Sequence, residues 1–449
     1  MRFTDTRGGG EVGWREAIDG IGPTGGGEGK DRPPSDAPLR IPSHLPRTFD
    51  DTRTDLPFGA WSLPRAAAWF DESVDTLGLG EALDLPIRIR TLGSGIDLLD
   101  LTGGPTGAFK DLGARVLARL WSAWPRDDRR ERCVLVATSG DTGGAVAAAV
   151  EGLPHLRAVI VFPLGRVSEV QRRHFTTRAP GVRAVGVHGS FDDCQRIVRE
   201  ALRGDAIPGA GTGPALVSAN SINPGRLLPQ ALYHGWAAAR TPGRPVVIPS
   251  GNLGNLTAAL LARGMGAPLG PIVAAVNEND TLVRVAGGET PRRGPSIVTD
   301  STAMDVAVPS NLERLEWWAR ATGSPLDELV APASIGVGEA RRAQRWAHEE
   351  HGVIIDPHTA VGVARALRLR ESEPGVRPLV VETAHPAKFP DQIRTVLGCD
   401  PPSAPHLVRE GSERIDEIEA RVEALTAVVT DGGTVSSHDP PPGRGREER

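Results

Sequence analysis

The chain has 449 residues, with 51 Lys and Arg against 56 Asp and Glu and a formal net charge of -5, so no basic excess draws it to nucleic acid or an anionic membrane. Its 54 glycines and 39 prolines are spread over a chain that is 39% hydrophobic, a composition that fits a turn-rich globular protein of two or more domains. No run of about 18 apolar residues and no apolar signal core argue for a membrane span or export, and Cys133, Cys194 and Cys399 lie in no CxxC or Cys/His ligand spacing, so the expectation is a cytoplasmic protein without a disulfide framework or a metal site.

In chain order, residues 1–45 are rich in Gly and Pro, with ten glycines before Lys30 and one short helical pattern at Val12–Ile21. They read as a lead segment that is partly loop. From about Leu98 the sequence alternates β-rich runs with helical stretches across Gly-containing turns, as in an α/β fold with a parallel sheet. The predicted strands are Cys133–Ala137, Ala158–Phe162, Ala184–Val187, Val246–Ile248, Ile272–Val276 and Leu379–Val381. Helical patterns cover Leu112–Trp121, Thr142–Val150, Phe191–Leu202 and Leu256–Met265. Beyond Pro405, the residues Ile415, Ile418, Val422, Leu425 and Val429 recur at spacings of 3, 4, 3 and 4, which predicts one short amphipathic helix docked on its own domain. The final stretch, DGGTVSSHDPPPGRGREER, is expected to be disordered.

Only three of the 51 basic residues are lysines, namely Lys30, Lys110 and Lys388. Where Arg supplies nearly every cation, a retained lysine marks a place for an amine that can form a Schiff base or titrate near neutral pH. Lys110 follows the turn Gly104-Pro105-Thr106-Gly107 and opens a helical run, where the helix dipole disfavours an ammonium. Read alone, it is equally a solvated first-turn lysine. The loop Thr138-Ser139-Gly140-Asp141-Thr142 presents backbone N–H groups at a helix start, which suits an anion, although Ser139 and Asp141 could instead cap that helix. Pro249-Ser250-Gly251-Asn252-Leu253-Gly254-Asn255 repeats the logic with two glycines for close approach of a phosphate and two asparagines as donors. It is neither GxGxxG nor GxxxxGK[ST], which disfavours a dinucleotide or a nucleoside triphosphate. Thr383, His385 and Lys388 follow a strand end, where open α/β sheets bind ligands; His385, ahead of a proline, reads more readily as a turn-stabilising group than as a proton carrier.

Taken in order, GPTGAFKD, ATSGDTG, SANSINPGR (residues 218–226), PSGNLGN, NENDTL (residues 277–282), STAMDVAVPSNLERL (residues 301–315), DPHTAVG (residues 356–362) and TAHPAKF resemble the threonine synthase family in its longer form. That family stands among the tryptophan-synthase-β-like pyridoxal-phosphate enzymes. Thr6-Arg7-Gly8, Glu16-Ala17 and Pro23-Thr24-Gly25-Gly26 are similar too, so the resemblance covers roughly residues 3–400. It implies an α/β enzyme of fold type II, with two open, mostly parallel twisted sheets flanked by helices and a small N-terminal lead segment. The implied division is residues 1–50 as lead, 51–110 with 241–402 as the large cofactor domain, 111–240 as a small α/β domain, and 403–449 as C-terminal helix and tail.

The resemblance implies pyridoxal 5'-phosphate attached to Lys110, its phosphate held by Gly251, Asn252, Leu253, Gly254 and Asn255, and its pyridine nitrogen faced by Thr383. Ser139, Gly140 and Thr142 would receive the substrate carboxylate, with Asp141 beside the cofactor's phenolic oxygen and sharing a proton with it. The implied reaction converts O-phospho-L-homoserine and water to L-threonine and phosphate. Asn223, Arg226 and Lys388 are the candidates for the substrate phosphate. The partner is a small phosphorylated amino acid, and the chain would work as a monomer or homodimer.

The family's SINWAR-like segment reads Ser221-Ile222-Asn223-Pro224-Gly225-Arg226 here, and three further positions depart from the family pattern: Gly103 and Gly107, where HGPTLAFKD is usual, and Glu382, where a small residue is common. These three motivate an alternative, a paralogous lyase or replacement enzyme acting on another phosphorylated amino acid. A second alternative, a catalytically silent ligand-binding homologue, fits poorly with a lysine kept at position 110.

Overall fold

The computed structural model describes residues 1–6, 10–19, 39–49, 54–70, 72–73, 75–124, 130–177, 181–203, 214–291 and 294–430. Lys30, residues 23–26 and the tail expected to be disordered lie outside the described residues.

Runs such as Val-Val-Ile-Pro and Leu-Val-Val-Glu are apolar on both pleat faces, a pattern that suits strands covered by helices on either side. They build two separate sheets. The first runs, from edge to edge, through Ala333–Ser334, Ile272–Val276, Val246–Pro249, Leu379–Glu382, Ile96–Asp100 and Arg88–Gly93. Its neighbours are parallel except the last pair, which is a hairpin. The second runs through Asp416–Glu419, Val182–His188, Leu156–Pro163, Arg132–Ala137 and Ala215–Ser218, all parallel. Each of the six predicted strands lies within one of these elements. The predicted helices appear as Lys110–Ala123, Asp141–Val150, Phe191–Leu202 and Gly254–Gly264. Ser190 closes the start of Phe191–Leu202 through a reciprocal capping box with Asp193.

The lead segment is more ordered than its composition suggests. Phe3–Asp5 pairs antiparallel with Arg40–Pro42, and the helix Trp14–Asp19 covers part of the predicted Val12–Ile21 pattern. The Trp14 ring meets Phe3 and Phe70 at 4.8 Å, and Asp19 accepts both a Nε and a Nη2 bond from buried Arg132 at 2.9 Å. The lead segment is thereby fastened to the first residue of a second-sheet strand.

The single helix expected from Ile415 to Val429 is corrected to a strand, Asp416–Glu419, followed by a helix, Val422–Thr430. The strand covers the edge of Val182–His188, whose unpaired backbone groups would otherwise lie open. Arg183 Nε donates to Asp416 at 2.5 Å and fixes the register. Leu425 and Val429 are fully buried in a core with Ile197 and Val198 of Phe191–Leu202, so the shortened helix does dock within its own unit.

Candidate active site

The two sheets bring their carboxyl ends to one cleft. The turn after Ile96–Asp100 carries Lys110 there, and a short antiparallel link holds it: Phe109 N donates to Thr383 O at 3.0 Å, and His385 N donates to Gly107 O at 2.8 Å. Within the turn, Asp111 accepts Thr106 N at 2.9 Å and Thr106 Oγ1 at 2.5 Å. Gly104 leaves the room, since a Cβ there would lie 2.3 Å from Asp111 Oδ2. Lys110 is the first residue of its helix and retains 16% side-chain exposure. Its Nζ lies 3.4 Å from Asp141 Oδ2, joining the first sheet's turn to the second sheet's helix start. Burial pushes the Lys110 ammonium below its usual value; Asp141 works against that, and Lys388 and Arg226 reinforce it.

Asp141 opens the Asp141–Val150 helix after the strand Arg132–Ala137. Neither Ser139 nor Asp141 caps this helix; Thr138 Oγ1 does the work, accepting Gly140 N and Gly143 N at 2.9 Å. Ser139 and Thr142 are half-buried. Among the described residues, nothing accepts from the N–H groups of Ser139, Asp141 or Thr142. Gly140 has φ 136°, and its missing side chain leaves space for Gln171. Gln171 Nε2 donates to Asp141 Oδ1 at 2.8 Å. Burial favours a neutral Asp141 carboxyl, but Lys388 and Lys110 outweigh it and hold the group well below the usual carboxylate range. Two lysines thus compensate the charge of Asp141.

The strand Val246–Pro249 runs into Ser250–Asn255 and the helix Gly254–Gly264. Among the described residues, none accepts from the backbone N–H groups of Gly251, Asn252, Leu253, Gly254 or Asn255, so an anion would find five donors at a helix N-terminus. Leu253 is held at φ 59°, a conformation costing a non-glycine residue about 1–2 kcal/mol. The glycines also serve packing. A Cβ on Gly251 would lie 2.6 Å from Met304 Cα, and one on Gly254 would lie 3.1 Å from Ser221 Cβ. Asn252 is braced by Ser221 Oγ at 3.0 Å and Ser310 N at 2.5 Å. Asn255 Oδ1 accepts from Tyr233 Oη at 3.0 Å and His234 Nε2 at 2.7 Å, while its Nδ2 is buried without a partner.

Thr383 follows the strand Leu379–Glu382. Its backbone is fixed by Thr359 Oγ1 at 3.2 Å, yet its own Oγ1 is buried and unpartnered. An unpartnered hydroxyl, an unpartnered amide nitrogen and a row of free N–H groups are what a ring nitrogen and a phosphate would satisfy, so the residues present fit pyridoxal phosphate.

The three candidates for the substrate phosphate are placed otherwise. Asn223 is fully buried; its Oδ1 caps the helix Pro224–Leu227 and its Nδ2 donates to Ile18 O and Ser218 O at 2.9 Å. Arg226 is 2% exposed and its Nη1 donates to Lys110 O at 3.2 Å. Burial pushes its guanidinium down to about 10, against the pull of Asp111. Lys388 is fully buried, with Nζ 2.7 Å from Asp141 Oδ1 and donating to Thr106 O at 2.8 Å. All three side chains are buried, and Arg226 Nε is left without a partner.

The three departures acquire partners. A Cβ on Gly103 would lie 2.6 Å from Pro86 Cγ, and one on Gly107, at φ 65°, would lie 2.8 Å from Leu407 Cδ1. Glu382 accepts both Nε and Nη2 of Arg90, at 3.0 and 2.5 Å. Sequence reasoning missed Gln171 and the cluster around Asp356. Asp356 caps the helix Pro357–Ser372, accepts His358 Nδ1 at 2.8 Å and also bonds Thr359 Oγ1. His358 Nε2 accepts Ala303 N at 3.0 Å, which fixes the ring's tautomer. An Asp-Pro step was the available signal, as proline is favoured just inside a cap.

Among the described residues, no helix is long and apolar enough to cross a membrane, and no group of three or more His, Cys, Asp or Glu could hold a metal ion.

Residues 89–383 match the family described as pyridoxal-phosphate dependent enzyme, and residues 359–429 match the threonine synthase C-terminal family. Threonine synthase of Escherichia coli (strain K12) is 38% identical over 342 residues, covering 75% of this chain and 76% of that one. The Pseudomonas aeruginosa threonine synthase is 32% identical, covering 89% and 94%. The crystal structure of the E. coli enzyme superposes with a TM-score of 0.83 at 32% identity over 95% of this chain and 99% of that one. A structure of threonine synthase with bound pyridoxal phosphate from Brucella melitensis gives 0.81 at 27% identity over 96% and 99%. The chain belongs to the threonine synthase family of fold type II pyridoxal-phosphate-dependent enzymes.

Proposed function

We propose that this chain catalyses the conversion of O-phospho-L-homoserine and water to L-threonine and inorganic phosphate. The observation that carries the proposal is the meeting of Lys110 and Asp141 between the two sheets, with the unpartnered Thr383 hydroxyl behind them and the free N–H row of Gly251–Asn255 nearby in the same sheet's loops. When bound, pyridoxal phosphate supplies an electron sink for the negative charge left by proton removal. Gly251–Asn255 would hold its phosphate and Thr383 Oγ1 its ring nitrogen.

The residues of the chain do the rest. Lys110, favoured as a neutral amine by its burial, removes a proton from the substrate's α-carbon and then one from its β-carbon. Phosphate leaves from the γ-carbon with the bonding electron pair of the C–O bond, one proton returns to the γ-carbon and one to the α-carbon, and water adds to the β-carbon as hydroxyl, giving up its other proton to the base. The half-buried Ser139 and Thr142, with the free N–H groups beside Gly140, offer the substrate carboxylate charge-assisted hydrogen bonds. Asp141 keeps Lys110 aimed at the cleft. The enzyme is inferred to act in the cytoplasm on a small phosphorylated amino acid.

Incubating the purified, cofactor-loaded protein with O-phospho-L-homoserine should release phosphate and threonine in equal amounts. Phosphate without threonine would reassign the chain to another elimination or replacement reaction, and neither product would mark it as silent.

A further inference from the structure

Lys388 is one of three lysines among 51 basic residues, and the reaction above leaves it without a direct part. It ends the short turn Pro386–Lys388, which His385 caps by accepting Ala387 N at 3.1 Å. Its ammonium touches no solvent. One donor reaches Asp141 Oδ1 at 2.7 Å and another Thr106 O at 2.8 Å, while its own carbonyl accepts Ser168 Oγ at 2.8 Å. One residue thereby joins, through its side chain, the Lys110 turn and the start of the second sheet's helix and, through its carbonyl and Ser168, the cap of Glu169–Thr176. A compact ammonium suits two acceptors converging in a closed space.

We propose that Lys388 is a positioning residue: it holds one oxygen of Asp141 so that the other faces Lys110, and it shares a single carboxylate between two lysines so that Asp141 cannot fully neutralise both. This rests on the proposed reaction, in which Lys110 must shed a proton. The charge count around the pair supports it. Lys110 faces Asp141, Lys388 and Arg226; Asp141 faces Lys388, Lys110 and His358; and Lys388 also faces Asp111 and His385. With Lys110 protonated, the three cations Lys110, Lys388 and Arg226 face the two carboxylates Asp141 and Asp111, an excess of one positive charge that favours a neutral Lys110.

The test is a pH titration of the visible absorbance of the bound cofactor in full-length holoenzyme, which reads the protonation of the nitrogen at Lys110. In Lys388→Met the midpoint should move to higher pH by about one unit or more, the scale set by a lost charge at this range. Lys388→Arg keeps the charge and should stay nearer the wild-type midpoint. Lys388→Gln, which keeps donors without charge, gives the same reading as Lys388→Met where the methionine variant does not fold. An unmoved midpoint in a cooperatively melting Met or Gln variant overturns the proposal, as does an Arg variant shifted as far as the Met variant. A colourless wild-type protein would instead speak against the cofactor reading itself, so the two failures are distinguishable.

Discussion

Thr383→Val separates a cofactor contact from an internal one because its two expected effects have opposite signs. Thr383 Oγ1 is buried without a partner in the protein alone, and an unsatisfied buried hydroxyl costs about 1–3 kcal/mol. Valine keeps the β-branched shape, and the backbone bonds to Thr359 Oγ1 and from Phe109 N do not use the lost hydroxyl. The apo protein should therefore be stabilised by about 1 kcal/mol, seen as a rise of about 1–3 °C in its melting temperature. Cofactor affinity should fall, because a hydrogen bond to the ring nitrogen is worth about 0.5–1.5 kcal/mol net, or about two- to tenfold in Kd. Differential scanning fluorimetry of the apo protein and an absorbance titration with pyridoxal phosphate measure the two quantities. An apo protein destabilised by the substitution, with unchanged affinity, would refute the assignment and place the hydroxyl in an internal role.

Lys110→Ala should remove covalent attachment of pyridoxal phosphate, checked by borohydride reduction and peptide mapping, and should lower turnover by about 10²–10⁴-fold through loss of the base alone. Gly107→Ala, at φ 65° with Leu407 in the way, should cost about 1–2 kcal/mol in urea unfolding. His234 is buried and bonded to Asn255, and burial holds it down to about 4 from an ordinary 6.5. Its folded value is depressed, so the unfolded chain binds the extra proton between those limits. Stability should fall as pH drops from 6.5 to 4, by a contribution of about 1.4 kcal/mol per pH unit. Urea midpoints of His234→Gln across that window should show a correspondingly shallower slope than wild type.

The strands were legible because each carries a continuous apolar run that only a sheet covered on both faces can use, as at Val246–Pro249 and Ile272–Val276, all buried. Lys110, the Gly251–Asn255 loop and the Ser139–Thr142 loop were legible for a related reason: small residues at a strand-to-helix junction expose backbone donors whatever the distant contacts are. Direction was not legible. Spacing along the chain set Lys388 five residues beyond Thr383 but could not say that its ammonium turns inward onto Asp141. Asn223 carried a readable signal, since Asn followed by Pro224 is a cap with proline at the first helical position. The Ile415–Val429 periodicity misled because a strand with Ile418 turned inward beside exposed Glu417 and Glu419 can be threaded onto helical spacing when only the apolar residues are counted.

The C-terminal segment packs against the departure at Gly107, beside the lysine turn. Leu407, buried, fills the space against Gly107, and burying such a side chain contributes about 1.5–3 kcal/mol. The same segment is fastened to the second sheet's unit: Leu407 O bonds His174 Nε2 at 2.8 Å, Arg173 donates to Arg409 O at 2.7 Å, and Arg172 grips Glu413 at 2.8 and 2.9 Å. It then adds the strand Asp416–Glu419 to that sheet. A side chain supplied from about 300 residues downstream thus replaces a bulk lost beside Lys110. Arg90 pairs with the carboxylate gained at Glu382, but burial outweighs that pairing and pushes the carboxyl up to about 7, so of these departures it is Glu382 that brings a titrating group next to Thr383.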